Sequence, residues 1–478
     1  EQLGWLLSAY HRDSGDLEMG SGEELLGSGA ESRGAMGKLN WQISESQALA
    51  LTYRVSEWLG SVPTHGAADL NGTSNFLIDR EQSTDSFNLA YRLQGESSLL
   101  NLETRVYRSS VDMKETRLSD GRPDHTELDT LGVNLANLSE FSGVRLLYGV
   151  DTYREDFAAE RGGDSRPIPP EAETRVLSVY SLAEIPLTAD WALELGLRYD
   201  DFATEASNLG EKSGDSATSP SAAIVWNATD WLVLSLRHDR AFRAPGAEEV
   251  YSTGFHFCLA PGFCNGFQPN PDLDPEQAAN TELNARLELA GAAGADSIRV
   301  QASMFENKVD DFIEQVVVGP SFFPFPDPGY TTWYNVDAAT LRGGEVAATY
   351  LRAGLALKAS YGKVRGKDDN SGDDLGNIPA DTFKLDASYQ FGAPGLLAGV
   401  RYTYADEQDR TDFAQDAPGV TYDSYGITDL YASWQPAALD GLRLALNINN
   451  LEDKHYRQAW QQLYQPGTEV IVSARYRF

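Results

Sequence analysis

The stretch YSTGFHFCLAPGFC, Tyr251–Cys264, gathers most of the reactive side chains this sequence offers. It contains His256, one of six histidines, and Cys258 and Cys264, the two cysteines of the chain. Tyr251, Phe255, Phe257 and Phe263 crowd it, and Phe267 follows. An imidazole can ligate a metal or carry a proton. No Ser-His-Asp set and no catalytic pair of carboxylates stands out beside it, so no enzyme is expected. Thiols at this spacing, with no second pair, do not match a zinc site. In an oxidising compartment they would pair, and in the cytosol they would stay free. Taken alone, a histidine in an aromatic loop is an ordinary loop residue. Its meaning depends on the elements that hold the loop.

Those elements read as strands. In Trp191–Asp200, one face carries Trp191, Leu193, Leu195, Leu197 and Tyr199, and the other carries Ala192, Glu194, Gly196, Arg198 and Asp200. The same period of two runs through Leu396–Tyr404, Val144–Asp151 and Leu100–Tyr107. Strands with one apolar face, aromatics at its ends and charges on the other face are poor material for a soluble core. They suit a membrane barrel with lipid outside and a polar lumen. No apolar run approaches the roughly 18 residues of a membrane helix. Glycine is abundant at 43 and tyrosine at 22, as a large all-β structure needs.

Connections alternate in length. Short ones lie at Ser44–Ser46, Thr188–Asp190 and Ala228–Asp230. Long ones lie at Asp13–Ala35, Leu59–Ser83, Ala159–Ala172, Arg243–Pro275 and Gly366–Pro379. Outer-membrane barrels show this asymmetry, with short periplasmic turns and long extracellular loops. The fold expected is all-β: a transmembrane antiparallel β-barrel occupying residues 1–478, with about 21 strand segments. Single-chain bacterial barrels have even strand numbers, so a strand is expected to be missing at the N-terminus. Acids number 71 and bases 38, a net charge of −33 that excludes nucleic acid as a partner. The chain begins without a basic or apolar leader, so any signal peptide is expected to lie outside it.

FRAP at Phe242, Arg243, Ala244 and Pro245 is followed by NPDLDPE from Asn270, Pro271, Asp272 and Leu273 to Glu276, then by NTEL. These boxes resemble the paired FRAP and NPNL boxes of TonB-dependent outer-membrane receptors for haem or haemoglobin. Asp272 stands where the box name has Asn. YNVDAATLRGGE, NINNLEDKHY and the terminal RYRF extend the resemblance over the C-terminal half. In that family a His-Phe pair between the boxes supplies an axial haem ligand, and His256-Phe257 occupies the matching place. The resemblance implies a barrel of about 22 strands, filled by an N-terminal plug that contacts TonB and often supplies a second ligand. The plug is absent from this sequence.

On this reading His256 ligates haem iron as imidazoles do, and Tyr251, Phe255, Phe257, Phe263 and Phe267 contact the haem or its loop. Haem is then the transported ligand, and no cofactor is intrinsic. Closing Cys258 to Cys264 removes about 2 kcal/mol of loop entropy before the ligand arrives. Partners implied are haem or a haem-carrying protein, TonB through the plug, lipopolysaccharide and outer-membrane lipid, and the barrel assembly machinery. The last would read the C-terminal strand, in which Tyr476 and Phe478 share a face. His65 and His125 are lesser haem candidates, and the aromatic loop Ser321–Tyr330 is a lesser docking surface. The acidic loop Lys367–Asp374 offers carboxylates to calcium without the spacing of a calcium loop. Three rivals stay open: a receptor of the same family for a siderophore, cobalamin or another metal complex; a passive porin or adhesin barrel; and a soluble all-β binding protein.

Overall fold

The computed structural model describes residues 2–478 except 67–69, 71–74, 292–295, 324, 337, 393–394, 412–419, 440 and 462. Among these residues twenty strands form one antiparallel sheet. It runs from Leu3–Ser14 and Ala30–Ser44 to Leu442–Asn449 and Glu469–Tyr476. Each strand pairs with the next wall strand along the chain. Trp191–Ala206, for example, lies between Ala172–Pro186 and Glu211–Thr229. The architecture is an up-and-down transmembrane barrel, which leaves few unpaired strand edges. Among the described residues no helix is long and apolar enough to cross a membrane.

The strand count is one below that read from the sequence, among the described residues. Phe312–Val318 and Tyr330–Val336 have strand patterns but leave the wall for a separate sheet of five. Alternation marks a strand without saying which sheet it joins.

Alternation does fix which face meets lipid. Leu195, Leu197 and Tyr199 are 43%, 53% and 46% exposed, whereas Asp200 on the opposite face is 2% exposed. That inner face is bound by charge. The Arg198 guanidinium donates to Asp200 at 2.8 Å and to the Ser178 hydroxyl at 2.6 Å. Across strands, Arg145 meets Glu184 at 2.7 Å and Arg342 meets Glu306 at 2.6 Å. Each exposed pair contributes only about 0–1 kcal/mol, so the rows keep the lumen wall polar more than they stabilise it.

One end of the sheet turns tightly. Ala353 and Gly354, at φ 45° and 90°, close a two-residue hairpin in the left-handed conformation that matches strand twist. The opposite end carries the long connections. Several are shorter than the sequence suggested, because the strands reach 15–19 residues, beyond the ~9–11 needed to cross a bilayer. Asp13–Ala35 therefore shrinks to 15–29 and Leu59–Ser83 to 64–76, part of which lies outside the described residues. The connection after Arg243 is long, as read, but partly ordered into elements of its own. It holds a short helix, Ala247–Tyr251, and a hairpin of Thr253–Ala260 with Phe263–Phe267.

Candidate functional site

The two sequence boxes sit at the long-loop end of two paired wall strands, Leu232–Arg243 and Glu276–Ala290, where Arg243 is opposite Glu276. Phe242 stacks on Phe202 of the strand Trp191–Ala206, two along in the wall, with ring centroids 5.6 Å apart. Arg243 reaches both boxes. Nε and Nη2 donate to the Glu276 carboxylate at 2.6 and 2.8 Å, and Nη1 donates to Glu249 at 2.9 Å. The planar fork of arginine suits this bidentate geometry. Glu276 also accepts the Ile313 N–H at 2.8 Å, and Glu249 accepts the Gly246 N–H at 2.6 Å. Ala244 and Pro245 carry the chain into the helix.

In the second box, the Asn270 side chain accepts the Asp272 N–H at 3.2 Å, an Asx turn to which Asp272 contributes its backbone N–H, as the family's Asn would. Its amide donates to the Trp333 carbonyl at 2.8 Å. Pro271 and Asp272 are exposed, while Leu273 drops into a buried cluster with Ala206, Val250, Tyr251 and Ile313, against which Trp333 packs. Tyr251, expected at the ligand, is instead fully buried in this cluster, its hydroxyl 3.4 Å from the Thr204 carbonyl. A helix end that must bury its apolar side takes the tyrosine with it. The boxes thus anchor the sheet that carries the histidine.

That sheet is assembled from three separate connections, in the order Pro167–Ile168, Thr253–Ala260, Phe263–Phe267, Tyr330–Val336, Phe312–Val318. Pro261 and Gly262, the latter at φ 77°, form its central turn, the Pro-Gly pairing of a type II turn. Cys258 and Cys264 are cross-strand partners joined by a disulfide. Phe255 pairs with Gly266 and Phe257 with Asn265, so His256 is the extra residue of a β-bulge. Bulges re-aim a side chain and gather beside functional sites.

The His256 ring is half-buried between two aromatics. Phe257 lies edge-on at 5.3 Å and Phe267 tilted at 5.1 Å. Phe267 stacks on Trp333 at 5.4 Å, which ties the ring to the buried cluster below. Nδ1 is 2.9 Å from the Thr331 hydroxyl. Burial pushes the His256 pKa below its ordinary value, so the ring is neutral at physiological pH. A neutral, oriented imidazole among aromatic faces can bind a metal centre carried in a flat apolar ligand.

The other aromatics spread outward. Phe255 is exposed, and Phe263 stacks at 5.5 Å on Phe322 of the Ser321–Tyr330 segment, of which Pro324 lies outside the described residues. His125 lies within the strand Pro123–Phe141, 2.9 Å from Asp112. In the acidic loop, Asp368 accepts the N–H groups of Asn370 and Ser371, Asp369 accepts the Thr340 hydroxyl, and Asp374 lies 3.5 Å from Lys367. Tyr476 and Phe478 point outward at the end of the last strand, their rings 4.9 Å apart.

Sequence reasoning missed Thr331, Asn265 and Trp333. Thr331 lies 75 residues from His256, and no local pattern links them. The Pro-Gly pair flanked by apolar residues was the available signal for the hairpin.

The family described as "TonB dependent receptor-like, beta-barrel" matches residues 39–451. The heme/hemopexin utilization protein C of Haemophilus influenzae (strain 86-028NP) is 29% identical, over 97% of this chain and 72% of the relative. The hemin receptor of Yersinia pestis is 25% identical, over 100% of this chain and 70% of the relative. Among solved structures, a double mutant of the Serratia marcescens hemophore receptor HasR, in complex with its hemophore HasA and heme, superimposes with a TM-score of 0.80 at 19% identity. It covers 99% of this chain and 76% of that one. With the match spanning most of the wall and the whole fold superimposing, the chain belongs to the TonB-dependent receptor β-barrels, transport receptors rather than enzymes, which lie in the bacterial outer membrane.

Proposed function

We propose that this barrel belongs to a receptor that captures haem, free or from a haem-carrying protein, at its extracellular end and imports it for iron acquisition. His256 supplies one axial nitrogen to the iron of the transported haem. The observation that carries this reading is the placement of His256: a half-buried bulge residue, flanked by Phe257 and Phe267, on a sheet anchored by the two boxes. Two relatives similar along nearly the whole chain bear haem or hemin in their names. Phe255 is exposed, Phe263 stacks on the exposed Phe322, and Phe323 and Phe325 are exposed nearby in sequence, apolar rings suited to a porphyrin or to the protein that delivers it.

Import requires energy, which in this reading comes from TonB acting on a plug domain within the lumen. The plug also provides the second axial ligand. Lipopolysaccharide surrounds the outward apolar band, and the assembly machinery engages the last strand with Tyr476 and Phe478.

The test is a haem titration of the detergent-solubilised full receptor, followed at the Soret band, for wild type and His256→Ala. A saturable shift in the wild type that weakens and changes coordination in the variant supports the reading. No shift in either leaves the receptor family standing with a siderophore, cobalamin or other metal complex as cargo.

A further inference from the structure

The hydrogen-bond chain behind His256 has a fixed direction. Asn265 is 1% exposed, and its amide nitrogen lies 3.0 Å from the Val318 carbonyl and 3.3 Å from the Pro328 carbonyl. Carbonyls only accept, so both amide protons are committed there and Oδ1 faces the other way. The reverse orientation would set oxygen against two oxygens. Asn265 Oδ1 lies 2.6 Å from Thr331 Oγ1, and Thr331 is completely buried. An amide oxygen cannot donate, so the hydroxyl proton of Thr331 points to Asn265. Its oxygen is then left to accept, and the group 2.9 Å away is His256 Nδ1. The ring must therefore carry its proton on Nδ1. In a neutral imidazole the other nitrogen, Nε2, then holds the lone pair, and among the described residues it has no protein hydrogen-bond partner.

We infer that Thr331 and Asn265 are positioning residues that fix the His256 tautomer and ring direction, so that Nε2 is presented as the iron-binding atom before haem arrives. The inference rests on the haem reading above and names the two residues that prepare its ligand. Neither touches the cargo. Both act through His256, as the hydrogen-bonded partner of a metal-binding histidine does by raising its basicity and holding its orientation. The arrangement explains why a parallel pairing of Gly266 and Phe267 with Tyr330 and Thr331 is built into an otherwise antiparallel sheet. It delivers a buried hydroxyl from a distant connection to the back of the ring.

The experiment uses the full receptor in detergent with ferric haem, whose Soret band moves when one of its two axial ligands is lost. Its affinity and its Soret position at saturation are compared in wild type, His256→Ala, Thr331→Val and Thr331→Ser. Valine keeps the shape and the β preference of threonine without its hydroxyl, and serine keeps the hydroxyl. Thr331→Val is expected to weaken binding about 10–100-fold and to move the saturated band toward that of His256→Ala. Thr331→Ser is expected to keep the wild-type band. Band position at saturation reports ligation, so a loop merely loosened by mutation would lose affinity without moving it. If His256→Ala keeps the wild-type band, the ligand reading itself falls. If His256→Ala loses the band while Thr331→Val keeps both band and affinity, the ligand stands and the relay is overturned. A Thr331→Ser variant that shifts as far as Thr331→Val overturns it too, because the hydroxyl would then be present without effect.

Discussion

The wall of the barrel and the five-stranded sheet at its extracellular end are both β-structure, yet they are specified in opposite ways. In the wall each strand pairs with its neighbour in sequence, and lipid and lumen sort side chains by their parity. Many residues share that work, and few are individually decisive. In the outer sheet five short strands come from three connections. It is held by a handful of specific links: the Arg243 fork, the Cys258–Cys264 bridge, the Phe267–Trp333 stack and the Asn265–Thr331–His256 chain. Redundant specification gives a durable scaffold, and sparse specification gives a site that can be tuned and broken one residue at a time.

The largest effect on the scaffold should come from placing a charge on its lipid face. Leu195 lies midway between Trp191 and Tyr199 on the outward face. Leu195→Arg should cost about 2–4 kcal/mol of barrel stability, read as a lower denaturant midpoint in lipid bilayers, with haem affinity of the folded fraction unchanged. The mirror experiment is His256→Ala, which should lower haem affinity on the order of a hundredfold by removing the ligand and leave the denaturant midpoint where it was. If either change moved the other's readout, the separation of scaffold from site would fail.

Opening the disulfide sharpens the contrast within the outer sheet. Cys258→Ala with Cys264→Ala releases about 2 kcal/mol of loop ordering, so haem affinity should drop by up to about thirtyfold. Saturated band position should stay put, because the ligand is untouched. Arg243→Lys keeps the charge and loses the fork to Glu276 and Glu249. It should loosen residues 244–275 by about 1 kcal/mol, seen as faster hydrogen exchange there and not in the wall.

The smallest effect is on pH dependence. Burial penalises the charged His256 ring and lowers its pKa. As pH falls below about 6.5, an ordinary imidazole takes up a proton and stops ligating, whereas His256 stays neutral to a lower pH. Haem affinity should therefore hold through pH 6.5 and decline only below it. In the same window an unfolded chain binds the proton first, so acid lowers the stability of the outer sheet. A decline centred at or above pH 6.5 would contradict the buried placement of the ring.

The barrel was legible in the sequence because its rule is local. Trp191–Asp200 announces its two faces by parity, and the spacing of short and long connections announces its two ends. The site was legible only in part. His256 and the boxes could be found by resemblance, and the cysteine pair by its spacing. The bulge that turns His256, the burial of Tyr251 and the hairpin within Arg243–Pro275 were not read, although Pro261-Gly262 pointed to the last. The strands Phe312–Val318 and Tyr330–Val336, and the sheet they join, were not read either.

The sequence alone determined an all-β membrane wall, because alternation against lipid and water is a property of neighbouring residues. The tertiary structure alone decided which atoms stand behind the histidine. Thr331 reaches His256 across 75 residues of chain, through a parallel pairing that exists only after the wall has closed the distance. The direction of that hydrogen-bond chain follows from two carbonyls that meet Asn265 only in the folded protein.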